Sequence, residues 1–421
     1  MKKSRKSNVP KQESQAPLAN IKVVGVGGGG GNAVSRMSQS GMRGISFIAI
    51  NTDHQDLDHT DVRHRLYIGK NLTKGLGTGM NPEIGKQAAE ENRSEIAEAV
   101  GGADIVFIAA GLGGGTGSGA SPVIAEVAKQ SGALTIAFVT KPFSFEGSQR
   151  QRIAEESLIK LREKVDALIA VPNDRIFSII EKDTPILKAF EAIDGVLRNS
   201  LEGIVDLIIS PGMVNLDFAD VRAVIQDAGS AIVGVGIASG QDRAITAVNQ
   251  ALNSPLLEVN PEGARGVLLG ISGGRDLRMN EINDAAKIVA QTVDPGAKII
   301  FGTYYDRRLK PNQIKITLVA TGFSGSGQPS SLFGNYFQEQ KSSFFGSHEK
   351  TSGPITSFEE LKKANETKDS KQREDKTHNP FAAPEKGVDE EGHPNNKEKE
   401  QKEKKSDDMW EIPTFLRRKR K

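Results

Sequence analysis

Cysteine is absent from this 421-residue chain, so disulfides, thiolate nucleophiles and cysteine-held metals are excluded. No apolar run approaches the roughly 18 residues that cross a bilayer. Met1–Asn20 is basic and polar and lacks the apolar core of a secretory signal, so a cytoplasmic protein is expected. The net charge of +2 is too small to hold nucleic acid. No G-x-x-x-x-G-K-[ST] motif occurs, which removes the P-loop lysine. Hydrophobic residues are scarce, at 37%, but unevenly so. Residues 21–323 are rich in Val, Ile, Ala and Gly, whereas 324–406 hold few apolar side chains. That contrast predicts a folded body with a disordered extension.

Within the body, short apolar runs alternate with helical patterns. Ile21–Val26, Ile45–Ile50, Asp104–Ala110, Ala133–Val139 and Ala167–Val171 read as strands. Helices are expected from Asn32 to about Gly41, and over 82–99, 121–130 and 148–164. Continuous apolar strands between helices predict a parallel sheet covered on both faces. Ile186, Phe190, Ile193, Leu197, Leu201, Ile204 and Ile208 then recur in steps of three and four, with Leu187, Val205 and Ile209 widening the stripe. A helix over 186–209 with so wide an apolar face is expected to lie between two bodies. Beyond it, 231–238, 266–272, 298–304 and 313–321 read as strands, with helices at 241–252 and 280–292. The last two strands are close enough in sequence to predict a hairpin.

Two segments carry chemistry. Gly25-Val-Gly-Gly-Gly-Gly-Gly-Asn32 follows a strand and precedes a helix. Glycine lets the backbone approach a phosphate, and the free N–H groups at a helix start face the anion. Gly25, Gly27 and Gly30 also satisfy G-x-G-x-x-G, with Asp53 further on, so a dinucleotide site and a plain tight turn stay open here. Gly111-Leu-Gly-Gly-Gly-Thr-Gly-Ser-Gly119 again follows a strand, with six glycines in nine residues. Two such loops at one sheet edge suit a polyphosphate, to which Thr116 and Ser118 add hydroxyls. Without a P-loop lysine, phosphate charge falls to backbone N–H groups, helix dipoles, hydroxyls and a Mg²⁺ ion. A third loop, Gly75–Pro82, has the composition to close over the outermost phosphate.

These loops, together with Lys141-Pro-Phe-Ser-Phe-Glu-Gly147, Pro172-Asn-Asp174 and Asn215-Leu-Asp-Phe-Ala-Asp220, resemble FtsZ, the bacterial tubulin-like division GTPase. The likeness runs from about Ile21 to Phe323, with Ser118 where the family usually has Thr. It implies an α/β fold: a Rossmann-like parallel-sheet GTPase domain, a long central helix, a smaller α+β second domain, and a disordered linker ending in a docking peptide. The resemblance assigns GTP/GDP phosphates to Gly28, Gly29, Gly30, Gly31, Asn32, Gly115, Thr116 and Gly117. Ribose and phosphate fall to Glu146 and Arg150, and guanine to Asn173 and Asp194. A carboxylate accepts from guanine N1 and N2, whereas adenine offers no matching pair of donors. Read alone, 215–220 is a helix N-cap signal. With the resemblance, Asp217 and Asp220 orient the attacking water and Asn215 positions their loop. An antiparallel return along the central helix puts these acids at the pole opposite their own nucleotide, within reach of a neighbour's. A heterologous contact that does not close makes a filament.

The implied organisation is a disordered arm at 1–19, a nucleotide-binding domain at 20–185, and a central helix with its connection at 186–214. A C-terminal domain with the catalytic loop at 215–323, a disordered linker at 324–406 and a partner-binding peptide at 407–421 complete it. In the last segment Trp410, Ile412, Phe415 and Leu416 are the expected anchors, followed by a basic end. The segment is similar to the FtsZ C-terminal peptide, with Glu411 where Asp is usual. The resemblance implies docking onto an FtsA-like membrane tether and other division proteins, indirect or weak membrane contact, and a place at the mid-cell ring. His54, His59 and His64 are spaced in a polar stretch, and no metal is assigned to them. The rival readings are an NAD-dependent oxidoreductase built on the first loop and Asp53, and a non-catalytic tubulin-like scaffold.

Overall fold

The computed structural model describes residues 19–323 except Arg43, Lys182, Pro211 and 255–260. The arm, linker and terminal peptide expected from sequence, with Trp410, Ile412, Phe415 and Leu416, therefore lie outside the described residues.

Strand β1 (Ile21–Val26) runs directly into α1 (Gly27–Gln39). β2 (Ile45–Asn51) is followed by the short α2 (His54–His59) and by β3 (His64–Tyr67). After one turn, α3 (Lys70–Thr73), come α4 (Pro82–Glu91) and α5 (Arg93–Val100). β4 (Ile105–Gly111), α6 (Gly115–Gln130), β5 (Leu134–Lys141), α7 (Ser148–Arg162) and β6 (Ala167–Pro172) complete the first half. These strands pair in parallel in the order β3-β2-β1-β4-β5-β6. A parallel sheet must be covered on both faces, and alternate residues serve the two sides. Val23, Phe107 and Ile136 pack with Val34 and Met37 of α1. Val24, Ile108 and Ala137 pack on the other side with Ala88, Ile96, Ile124 and Leu161.

Helix α8 (Ile186–Ile209) spans the residues expected of it. Gly195 and Gly203 each cost about 1 kcal/mol of helix propensity. Fully burying a Leu or Ile contributes about 1.5–3 kcal/mol, and Ile193, Leu197, Leu201, Ile204 and Ile208 are all buried. Packing therefore outweighs propensity, and one continuous core holds α8 residues together with both halves of the molecule.

The second half comprises β7 (Gly212–Val214), α9 (Phe218–Ile225), β8 (Gly229–Ser239), α10 (Arg243–Leu252), β9 (Gly266–Gly273), α11 (Met279–Thr292), β10 (Lys298–Tyr305) and β11 (Gln313–Thr321). Its strands continue the sheet as β6-β8-β11-β9-β10-β7. Within the sheet, the two halves pair through two residue pairs, Ala167 with Gly229 and Leu168 with Ser230.

Four expectations need correction. The strands at 298–304 and 313–321 do not form a hairpin: β11 lies between β8 and β9, antiparallel to both, and β10 pairs with β9 instead. β11 is buried on both faces, which demands a central place, while β10 exposes Phe301 and Tyr305. The single helix expected over 82–99 is two, broken at Asn92 where the backbone leaves the helical region. The helices expected from Asn32 and from 121 begin at Gly27 and Gly115, so glycines taken for loop form first helical turns. Strands β3 and β7 are short and were not expected.

A buried cation organises the second half. Arg243, whose side chain is 3% exposed, bonds Glu281 at 2.6 Å and Asp276 at 2.5 Å. It also donates to the Asp276 carbonyl and to Asn312. Removing one member of a buried ionic group costs about 3–5 kcal/mol, because the others keep uncompensated charge. Arg243→Met is expected to lower stability by that amount in thermal or urea unfolding. The guanidinium holds the Glu281 and Asp276 carboxyls below the ordinary carboxylate range. A depressed carboxylate contributes stability above its ordinary value, 4.5 for Glu281, and loses it as the pH falls. The stability gap between the wild-type chain and Arg243→Met should therefore narrow on acidification below that value.

Candidate active site

The register of the parallel strands brings five connections to one edge. Val26, Ile50, Ala110 and Val139 are aligned across β1, β2, β4 and β5, with Ala170 of β6 beside Val139. Immediately beyond lie the start of α1, residues 51–53, residues 111–115, residues 142–147 and the 3-10 turn Asn173–Ser178. Ligand sites of open α/β sheets form at this carboxyl edge.

The helix starts at this edge differ in how they are capped. Asp53 caps α2, its carboxylate accepting from Gln55 N and Asp56 N, and Asn81 caps α4. At α1 and α6 the N-cap positions are Val26 and Gly114, with no side-chain cap and no acid in the first turn. The first amides of a helix have no intrahelical acceptor and carry the positive end of its dipole. Two bare helix N-termini at one edge make an anion cradle.

The glycines divide by what a side chain would meet. At Gly30 a Cβ would run into the Ala109 carbonyl oxygen, at Gly117 it would lie 2.5 Å from the Gly111 oxygen, and at Gly115 it would strike Thr78. These positions serve close packing of helix on strand and loop. By contrast, a Cβ on Gly29 would lie 3.5 Å from its nearest neighbour, and on Gly114 it would meet nothing within 4 Å. Gly28 faces Asp56, Gly31 faces Thr60 from 3.5 Å, and Asn32 is exposed.

Thr116 is buried, and its hydroxyl bonds Thr52 at 2.7 Å and Thr78 at 3.4 Å. It thus ties together the loop after β2, the 74–81 segment and α6. The Ser118 hydroxyl oxygen accepts from Gly113 N at 2.9 Å. It braces the glycine loop from within, a role that the residue type alone does not distinguish.

Glu146 accepts from Phe143 N at 2.8 Å and from Arg150 at 2.5 Å. Asp174 accepts from Ser144 N at 3.0 Å, linking the segment after β5 to the turn after β6. Asn173 is buried, and among the described residues its side-chain oxygen has no hydrogen-bond partner. An orphaned buried polar atom costs about 1–3 kcal/mol. Asp194, on the first half of α8, forms an ion pair with Arg36 of α1. Sequence reasoning missed Arg36, which nothing local distinguishes from an ordinary surface arginine. It also missed an aromatic group: Phe145, Phe177 and Phe190 are solvent-exposed and pack within 4.8–5.8 Å of the buried Phe143 ring.

The acids at 215–220 are elsewhere. α8 starts beside the turn after β6, where Ile193 packs with Phe143 and Ile176. Over 24 residues it covers about 36 Å at 1.5 Å per residue. Its last residue, Ile209, lies 4.0 Å from where a Cβ on Gly44 would stand, just before β2 begins. Asn215 accepts from Gly212 N at 2.6 Å, and the exposed Asp217 caps α9. Arg222 of α9 reaches the Gly132 carbonyl, just before β5. The half-buried Asp220 sits in the first turn of α9. The glycine loops and the acids therefore occupy opposite ends of the strands within one chain.

Comparison with known proteins finds two family matches. Residues 20–181 match the GTPase domain of the Tubulin/FtsZ family, and 229–324 match the C-terminal domain of the FtsZ family. A solved FtsZ dimer from M. jannaschii is 44% identical, covering 73% of this chain and 89% of its own, with a TM-score of 0.68. A GTPγS-bound CetZ2 protofilament from Haloferax volcanii is 22% identical over 77% of this chain and 99% of its own, with a TM-score of 0.65, and shares the fold. These matches displace the oxidoreductase reading, as does the use of Asp53 to cap α2.

Proposed function

Because the chain belongs to the tubulin/FtsZ family and is a GTPase, we propose that it polymerises head to tail into dynamic filaments of the bacterial cell-division ring, each active site completed by the next subunit. The observation that carries this reading is the separation of parts. Two uncapped helix N-termini share one edge of the sheet, and the acids of 215–220 belong to the other. Neither end suffices for hydrolysis, and stacking copies brings unlike ends together. The relatives described as a dimer and as a protofilament are consistent with such stacking.

In this reading Gly28, Gly29, Gly30, Gly31 and Asn32 and the amides of Gly115, Thr116 and Gly117 receive the phosphates. Glu146 and Arg150 take ribose and phosphate, and Asn173 and Asp194 read guanine. Asp194 then exchanges or shares its Arg36 partner when the base enters, and the exposed Phe190 offers a stacking face. Asp217 and Asp220 orient and polarise the attacking water on the neighbour's GTP, with Asn215 holding their loop. Mg²⁺ would suit this chemistry, since it is ordinarily bound through substrate phosphates and water with few protein ligands. When bound, such an ion would neutralise charge on the phosphates. The intact acids argue against a passive scaffold. Residues 407–421 dock onto an FtsA-like tether through Trp410, Ile412, Phe415 and Leu416, which keeps the cytoplasmic filament at the mid-cell membrane.

The test is sedimentation with GTP, with GDP and without nucleotide, with phosphate release followed in parallel. Pelleting should require GTP, and phosphate release should rise more than linearly with protein concentration. Strictly linear release, with the protein monomeric throughout, would exclude a shared site.

A further inference from the structure

An ionic cluster joins the second half of α8 to the sheet beyond it. Arg308, in the connection after β10, bonds Asp206 of α8 at 2.6 Å and Asp306 at 2.8 Å, and also pairs with Glu202 one helical turn before Asp206. Lys315 of β11 reaches the same Asp206 carboxylate at 3.3 Å. Asp306 and Lys315 are buried, as is Asp206. Isolated exposed ion pairs contribute little, but here a forked guanidinium joins three carboxylates on two elements, which fixes direction as well as distance.

The acid loop hangs from both sides of this cluster. Asp206 O accepts from the N–H of Ser210, the C-cap of α8. Two residues later β7 begins and pairs antiparallel with β10 through Gly212 with Tyr304 and Val214 with Thr303. Leu216 lies so close over Gly302 that a Cβ there would come within 2.9 Å of it, so only glycine seats that side chain. Asp217 follows directly. β10 itself leads into Asp306 and Arg308. The end of α8 and strand β10 thus grip the acid loop from two directions, and Arg308 is the side chain that locks one to the other.

We infer that Arg308, with Lys315 and Asp206, positions the Asp217–Asp220 loop for hydrolysis rather than merely stabilising the fold. This rests on the proposed role of those acids. None of the three touches substrate; they are positioning residues acting through the end of α8. Nearer the start of the same helix, Asp194 pairs with Arg36 in the last turn of α1, so α8 is tied to the first half as well as to the acid loop.

The test compares the full chain, Arg308→Met, Arg308→Lys and Asp220→Ala, with GTP and Mg²⁺. Displacing a reacting group by about 1 Å can cost on the order of 100-fold, so Arg308→Met should lower kcat by about tenfold or more. KM for GTP, and the polymer pelleted with a slowly hydrolysed GTP analogue, should be unchanged, and Arg308→Lys should recover part of the rate. Should Arg308→Met fail to fold, Glu202→Gln removes one charge from the cluster and is read in the same way. If Asp220→Ala is inactive while Arg308→Met turns over like the wild-type chain, the positioning role is wrong. A parallel loss of kcat, KM and polymer would also overturn it, since that signals general damage. If Asp220→Ala itself stays active, the role proposed for the acids fails instead.

Discussion

Asp220→Ala is expected to reduce GTP turnover by about 100-fold or more, the scale on which a positioned acid or base acts, while GTP binding survives. Asp220 makes no capping bond in the first turn of α9; the cap belongs to Asp217. Its loss should therefore leave the helix intact. Asp217 needs a different substitution, because alanine there also removes an N-cap at a cost of about 1 kcal/mol. Asparagine caps as well as aspartate, so Asp217→Asn isolates the carboxylate's chemistry from its structural bond. Phosphate release and titration with a fluorescent GTP analogue separate the two effects. Because the acids and the glycine loops lie at opposite ends of one copy, adding Asp220→Ala subunits to wild-type protein should depress the rate more than by dilution. Simple dilution behaviour would show that each copy hydrolyses its own nucleotide.

The second large effect divides two glycines of one loop. At Gly119, inside α6, a Cβ would run into the Pro82 carbonyl oxygen and stand 2.7 Å from Lys86 N, both backbone atoms of α4. Alanine favours a helix over glycine by about 1 kcal/mol. Overpacking against backbone costs about 1–3 kcal/mol or more, so the clash prevails and Gly119→Ala should lower the thermal midpoint by several degrees. Gly114, five residues earlier, has extended backbone angles that alanine adopts freely and open space where its Cβ would be. Gly114→Ala should leave the thermal midpoint unchanged. Its methyl group would stand at the mouth of the cradle, and GTP affinity should fall by about tenfold, or 1.4 kcal/mol. Equal destabilisation by both changes, or unimpaired GTP binding by Gly114→Ala, would refute this division between packing and ligand-facing glycines.

Some of this was legible in the chain. α8 was readable to its ends because its apolar residues recur every three or four positions over six turns, far beyond accident. The strands of the first half were readable as continuous apolar runs, because a parallel sheet buries both faces. Other features were not. A window around Ser118 shows a hydroxyl in a glycine loop, and nothing in it says that the hydroxyl turns back onto Gly113. Arg36 and Asp194 are 158 positions apart, and their ion pair exists because α1 and α8 pack side by side. The first turns of α1 and α6 read as loop because glycine is a poor helix former, a preference that tertiary contact overrides.

What the sequence determined by itself is local: which stretches are helix or strand, where the glycine loops fall, and which residues supply acids and hydroxyls. Those follow from backbone sterics and from periodic burial, which act between near neighbours. The tertiary structure alone decided that β11 lies between β8 and β9 and that Arg308 locks α8 to the sheet. Such outcomes depend on which distant surfaces exclude water together, and a string of residues carries no measure of that distance.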